Sequence, residues 1–218
     1  MKSNYIVASL IIAILINGCC RNDCANTYII EGTVEEQTTG LPCVGFEVEM
    51  EEQVLENGVL NGYFETAGSA TTDGAGFFTI SFARKSALEY RLGVNKEGWF
   101  GILEDINPDD FSPDIPVHID IEAVPRAELS VHIINQAPSA KLDKIRFRFT
   151  EDFNQYTTCG TDWMVFEGPL TNTIFNCTLP GNEWMPYQYI DQSGEEDIAI
   201  SDSVFCVAFE TTTLEIIF

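Results

Sequence analysis

Positive charge is scarce in this chain: 11 lysines and arginines stand against 34 aspartates and glutamates, with only two histidines, for a formal net charge of −23. Nucleic acid and anionic lipid surfaces both recruit Lys and Arg to displace counterions, so the shortage argues against either as a partner. Long apolar runs are also missing. The most apolar stretch, residues 5–16, is about a dozen residues, short of the roughly 20 that a membrane-spanning helix needs. No Cys-x-x-Cys pair occurs, which removes the usual zinc ligand spacing, and no Gly-x-Ser-x-Gly phrase announces a hydrolase nucleophile. Apolar residues recur at helical spacing for no more than a turn or two, best over residues 83–90. What is present suffices for a packed core: 45% of the residues are hydrophobic and 15 are phenylalanine. The acidity therefore reads as solubilising charge on a folded protein, not as disorder.

The chain opens MKSNYIVASLIIAILINGCCRNDC, with Lys2 ahead of the short apolar run and Ile16-Asn17-Gly18-Cys19 closing it. One positive charge before a short apolar core has the shape of an export signal. The segment resembles a bacterial lipoprotein signal, in which the residue after the small Gly18 is the cysteine that receives lipid. That resemblance implies removal of residues 1–18, lipidation of Cys19 and a tether over residues 19–27. Acylation of Cys20 would put Cys19 at the cleavage step, where a smaller residue is expected. An ordinary cleaved secretory signal is the alternative. Multiple acyl chains hold a protein stably to a bilayer where a single chain does so marginally. The implied location is the cell envelope, anchored by lipid to an outer membrane, with the periplasmic or outer face left open.

Export places the cysteines in an oxidising compartment. With Cys19 lipidated, Cys20, Cys24, Cys43, Cys159, Cys177 and Cys206 remain. Six cysteines allow fifteen pairings and the sequence selects none. A Cys24–Cys43 bridge is one plausible clasp across the first strand.

Strand patterns follow one another. Val44, Phe46, Val48 and Met50 alternate with Gly45, Glu47, Glu49 and Glu51, predicting a half-buried strand with an acidic outer face. Phe78, Ile80 and Phe82, then Val117, Ile119 and Ile121, then Ile145, Phe147 and Phe149 alternate in the same way with polar residues. Gly40-Leu41-Pro42, Asp73-Gly74-Ala75-Gly76, Asn107-Pro108-Asp109 and Pro180-Gly181-Asn182 supply turns. Many short strands with Gly and Pro turns predict an all-β protein of β-sandwiches. Pro125 interrupts the pattern near Ala123-Val124-Pro125-Arg126, which suggests two units, residues 28–124 and 127–218; one larger sandwich is the alternative.

Three phrases in the first unit carry a second resemblance. They are Gly32-Thr33-Val34 with Thr39-Gly40-Leu41-Pro42 and Gly45-Phe46-Glu47-Val48; Thr72-Asp73-Gly74-Ala75-Gly76-Phe77-Phe78; and Tyr90-Arg91-Leu92 leading to Lys96-Glu97-Gly98-Trp99. Residues 28–124 resemble the carboxypeptidase regulatory-like, transthyretin-like (prealbumin-like) domains at the start of exported lipoproteins of Bacteroidetes. Residues 127–218 resemble the immunoglobulin-like β-domain that often follows. In the hairpin phrase, Gly74 and Gly76 are expected to take positive φ while Asp73 bonds its own turn. The acidic stretch between Met50 and Ser69 departs from a minimal hairpin and reads as an extra strand pair or a loop over one end. Such domains accompany enzymes without being catalytic, so the resemblance implies a structural or binding module.

The sequence offers few candidates for chemistry. His118 and His132 each fall on the polar phase of a strand, in different units, and read as solvated. Asp105, Asp109 and Asp110 are candidate calcium ligands in a loop rich in Asp and Asn, but they lack the D-x-[DN]-x-[DN]-G spacing. Lys144, Arg146 and Arg148 share one face of a strand and would form a positive stripe on an acidic protein, either a docking site for an acidic partner or acidic sugar, or charges paired with a neighbouring strand. Trp99, Phe100, Trp163, Trp184, Tyr187 and Tyr189 could stack on sugar rings where exposed, or pack in the core. The expectation is a non-enzymatic, lipid-anchored binding or structural accessory protein with no cofactor and a protein or glycan ligand. Its alternative is an accessory subunit of an outer-membrane carbohydrate-uptake or hydrolase complex.

Overall fold

Alternation decides the first strand, β1 (Thr27–Glu36), in which Tyr28, Ile30, Gly32 and Val34 turn inward while Ile29, Glu31 and Thr33 are partly exposed. The computed structural model describes residues 27–218 apart from positions 57, 61, 114 and 139–142. The leader and Cys19 thus lie outside the described residues, as does Cys24. β1 pairs antiparallel with β5 (Phe77–Ala83) and parallel with β8 (Pro116–Ala123), giving a three-stranded sheet. Gly32 of β1 lies opposite Ile119, and a Cβ there would come within 1.7 Å of the Ile119 carbonyl oxygen, so only glycine admits β8 at this register.

The facing sheet is built on β2 (Glu47–Glu56), which pairs with β4 (Glu65–Thr71) and β6 (Ala87–Asn95). It continues to β3 (Val59–Leu60) at one end and to β7 (Ile102–Ile106) beyond β6. The acidic stretch after Met50 is therefore the extended end of β2 together with β3 and β4, the strand-pair alternative. Between the sheets Phe46, Val48, Met50, Phe78, Ile80 and Leu92 are buried. At one end Tyr28, Phe82, Tyr90 and Phe111 interlock, with ring centroids 5.1–6.0 Å apart. Aromatic contacts in these geometries add to the free energy of burial.

Two local expectations are corrected by the structure. Residues 83–90, where helical spacing runs longest, lead from β5 into strand β6, in which Tyr90, Leu92 and Val94 alternate into the core. The strand expected from Val44 begins at Glu47: Gly45 takes φ 74°, which turns the chain and leaves Val44 48% exposed. In the 72–78 hairpin Asp73 Oδ1 accepts the amides of Ala75 and Phe77 at 2.8 and 3.0 Å, as expected, but only Gly76 of the two glycines has positive φ. Gly76 also lies under the Val34 carbonyl, where a Cβ would come within 2.6 Å.

The second half repeats the layered plan. β10 (Lys144–Phe149) and β13 (Glu183–Asp191) form the centre of a sheet ordered β11-β10-β13-β14, with β11 (Met164–Glu167) and β14 (Ile198–Cys206) outermost. Opposite it, β9 (Arg126–Ile134) pairs antiparallel with β12 (Asn172–Pro180) and parallel with β15 (Thr211–Ile217). Leu129, Val131, Ile133, Ile145, Phe147 and Met185 are completely buried between the two sheets. The protein is all-β, and its buried residues fall into two clusters, one running from Tyr28 to Ala123 and the other from Ala127 to Ile216.

The disulfide joins Cys159 to Cys177, with Cα atoms 5.1 Å apart, and fastens the loop before β11 to β12. Cys43 is a free, buried thiol, and Cys24, its expected partner in a clasp across the first strand, lies outside the described residues. Cys43 sits against β1, its amide donating to the Val34 carbonyl at 2.8 Å. Burial, reinforced by the charge of Glu36, pushes its thiol up to about 11.

The chain between the two clusters is held from both sides. Phe100 N donates to Val124 O and Arg126 N to Gly98 O, at 3.0 and 2.9 Å. Gly181 N donates to Pro125 O and Phe209 N to Arg126 O, at 2.8 and 2.7 Å. Trp99 packs on Phe209 and Phe100 on Tyr156, with ring centroids 5.4 and 5.3 Å apart.

Candidate ligand-binding face

β10 reads Lys-Ile-Arg-Phe-Arg-Phe, and its burial alternates without interruption. Ile145, Phe147 and Phe149 enter the core, which turns Lys144, Arg146 and Arg148 to the outer face of their sheet. The three cations then part company. Lys144 stands opposite Glu167 of β11 and is neutralised by it, Nζ to Oε1 2.9 Å. Arg146 and Arg148 instead share one aromatic ring. Their guanidinium carbons lie 4.6 and 4.5 Å from the centroid of Trp163, the residue immediately before β11. Arg148 is further fixed by Gln188, its cross-strand neighbour on β13, whose Oε1 accepts from Nε and Nη2 at 3.2 and 2.8 Å.

A guanidinium over an indole face is attracted to the ring quadrupole by about 0.5–2 kcal/mol, depending on desolvation. Trp163 thereby orders both arginines without cancelling their charge. Among the described residues no carboxylate pairs with either, although acidic side chains outnumber basic ones by 34 to 11. Arg91, by contrast, is paired with Glu51, and Lys85 with Glu52. Two partly buried guanidiniums on one ring have the chemistry to meet anionic oxygens, since planar forks bind carboxylate or phosphate bidentately, although the Nε–Nη2 edge of Arg148 is already taken by Gln188. The sequence pointed to the stripe but not to Trp163 as its organiser. Trp163 lies fifteen or more residues from the arginines, and only the β10–β11 pairing brings it to them.

The other aromatics divide. Trp99 packs against Phe46 and Phe209, and Tyr187 stacks on Phe147 inside the second core. Trp184 is 59% exposed on the same sheet as the arginines. The calcium candidates are not gathered. Asp105 lies on β7 opposite Arg91, while Asp109 and Asp110 lie in a 3-10 turn whose Asp109 amide is capped by Asn107 Oδ1 at 3.0 Å. Among the described residues no three His, Cys, Asp or Glu side chains converge on a metal-sized space. His118 meets Asp120 at 3.2 Å, and His132 meets Asn172 at 2.7 Å and Glu215 at 3.9 Å, each on an outer strand face.

A polar pocket that sequence reading missed lies at the Tyr28 end of the first core. This cavity of about 540 Å³ is lined by Tyr28, Arg84, Lys85, Tyr90 and Asp109, among others. Behind it Glu52 is completely buried on β2, with Lys85 Nζ 2.5 Å from its Oε1 and no hydrogen-bond partner for Oε2 among the described residues. Burial and, secondly, the Glu52 charge push the Tyr90 phenol up to about 12. Glu52 falls on the inward phase of β2, between Met50 and Val54, so its burial was readable only by extending the alternation through a charged residue.

No protein-family model and no curated protein matches the sequence. Among solved structures, the Bacillus anthracis TIE protein aligns over 87% of this chain and 33% of its own, with 10% identity and a TM-score of 0.35. A streptococcal ancillary pilin aligns over 90% of this chain and 63% of its own, with 12% identity and a TM-score of 0.36. The shaft pilin SpaA of Lactobacillus rhamnosus GG, as a double mutant, aligns over 88% and 96%, with 12% identity and a TM-score of 0.33. This chain spans about a third of the first of these proteins and under two thirds of the second. Superpositions this loose assign the chain to no family.

Proposed function

We propose that this is a non-enzymatic accessory protein of the cell envelope, lipid-anchored through Cys19, that binds an anionic ligand on the outer face of β10 and β13. The observation that carries the binding role is the Arg146–Arg148 pair, ordered on Trp163 and without a carboxylate partner among the described residues of a protein of net charge −23. In so acidic a chain counter-charges are plentiful, and two cations held on an aromatic ring away from them leave their charge to meet a ligand's anions. The anchor rests on the Gly18-Cys19 junction behind the short apolar run.

Two measurements test the reading. Mass spectrometry of the full chain expressed in a bacterium should find residues 1–18 removed and Cys19 acylated, and a Cys19→Ala variant should be released from membranes. Envelope extracts passed over the immobilised protein at low salt should lose anionic material to the wild type and not to R146Q/R148Q. An unmodified Cys19 sinks the anchor, and equal retention by the variant sinks the face.

A further inference from the structure

The cationic end of this face continues into an aromatic one. Alternate residues of a strand share a side of the sheet, so Gln188, Pro186 and Trp184 of β13 lie on the side that carries Arg146 and Arg148. Trp184 stands opposite Phe205 of β14, their rings 5.3 Å apart and tilted by 56°. The two side chains are 59% and 39% exposed. From Gln188 to Trp184 the strand advances four residues, about 13 Å. Ser201 and Ser203 of β14 lie opposite Gln188 and Pro186 and line the interval with hydroxyls. The outer face therefore offers, in one line, two fixed guanidiniums, a stretch of neutral hydrogen-bonding groups and an exposed aromatic pair.

Resting on the binding role assigned above, we infer that the ligand is an acidic polysaccharide, a chain of sugar rings bearing carboxylates. Its ring faces are apolar enough to lie on Trp184 and Phe205. Its hydroxyls match Ser201, Ser203 and the Gln188 amide, and its carboxylates match the arginines. Arg146 and Arg148 are two residues apart on one strand, about 7 Å, which suits anionic groups repeated along a polymer better than a single small anion.

Other occupants fit less well. A peptide strand adds to a sheet through a free edge, and β10 and β13 are hydrogen-bonded to neighbours on both sides. An amphipathic helix needs an apolar groove, and the apolar members of this face, Val165, Ile190 and Pro186, are interspersed with Arg146, Arg148, Gln188 and Ser203. A second copy docking through this same face about a two-fold axis would set Arg146 and Arg148 against their own equivalents, with no anion to meet them.

The test is calorimetric titration of the full chain, in detergent, with polygalacturonate at about 0.15 M salt, where repulsion by the protein's distant carboxylates is screened, beside neutral dextran and poly-L-glutamate. Wild type should bind polygalacturonate, with dextran and polyglutamate weaker by about tenfold or more. R146Q/R148Q should lose about tenfold or more in affinity, and R146K/R148K an intermediate amount because lysine keeps the charge but not the fork. W184A, with both arginines intact, should lose about threefold to tenfold. Thermal unfolding of each variant identifies any that fail to fold, and the surface change W184F then takes the place of W184A. Polyglutamate binding as tightly as polygalacturonate, with no effect of the Trp184 variants, overturns the polysaccharide and leaves the anion-binding role standing. No polyanion binding by wild type, or no effect of R146Q/R148Q, overturns both.

Discussion

Replacing Lys85 by methionine puts the buried charge of the first core to a quantitative test. Glu52 retains 1% of its side-chain exposure while Lys85 retains 51%. The pair is therefore asymmetric: removing Lys85 strands an anion in the core, whereas removing Glu52 leaves a lysine that water already reaches. Breaking a buried ion pair from one side costs about 3–5 kcal/mol, and the lower end applies here because solvent reaches Lys85. With a urea m-value near 2 kcal/mol/M, K85M should lower the unfolding midpoint by about 1.5 M at unchanged m. The double variant E52L/K85M removes both charges at similar volume and should return to within about 1 kcal/mol of wild type or exceed it. The single variant E52L should fall between them. The reasoning is refuted if K85M costs under about 1 kcal/mol, or if the double variant is as unstable as the sum of the singles.

Three further outcomes follow from the fold. C159A/C177A should lose about 3 kcal/mol, the loop-closure value for a separation of 18 residues, and peptide mapping under non-reducing conditions should recover Cys159 linked to Cys177; a different partner for either would contradict the structure. Cys43, with its thiol pushed from 9.0 to about 11, stays neutral in the folded state over a range where the unfolded chain has ionised. Its contribution is thus complete below pH 9 and declines between pH 9 and about 11, by about 2–3 kcal/mol; the stability difference between wild type and C43A should shrink over that window, and a pH-independent difference would contradict the assignment. Gly76→Ala must hold an alanine at φ 74° beneath the Val34 carbonyl and should cost more than about 1 kcal/mol in urea unfolding, whereas Gly74→Ala, in open space at ordinary φ, should cost under about 0.5 kcal/mol.

Period-two patterning made the strands legible. Ile145, Phe147 and Phe149 point inward and Arg146 and Arg148 outward because alternate residues of a strand share a face, and no tertiary information is needed to see it. Where patterning failed, a local backbone event intervened. Val44 obeys the alternation in sequence yet lies outside the strand because Gly45 turns the chain, and residues 83–90 mimic a helical turn where β5 gives way to β6. Long-range partners were beyond reach for a different reason. Which strand stands beside which decides that Lys144 is neutralised by Glu167 while its neighbours meet Trp163, and that Cys159 meets Cys177 while Cys43 stays a thiol. Along the sequence the three cations make one stripe; cross-strand register divides them into a paired lysine and two arginines held on Trp163.

The doubly held segment from Val124 to Arg126 has a thermodynamic consequence. Its carbonyls and amides are shared out, with Phe100 and Gly98 on one side and Gly181 and Phe209 on the other. Unfolding of either half strips hydrogen-bond partners from the backbone of the other and leaves buried Val124 exposed to water. The halves are thereby coupled. Free energy released by a ligand on β10 and β13 would raise the cost of those openings around Trp99 that proceed through unfolding of the second half. Occupancy at the distal face would then be read as slower amide exchange at Phe100 and Trp99, a signal carried by cooperativity and requiring no change of shape.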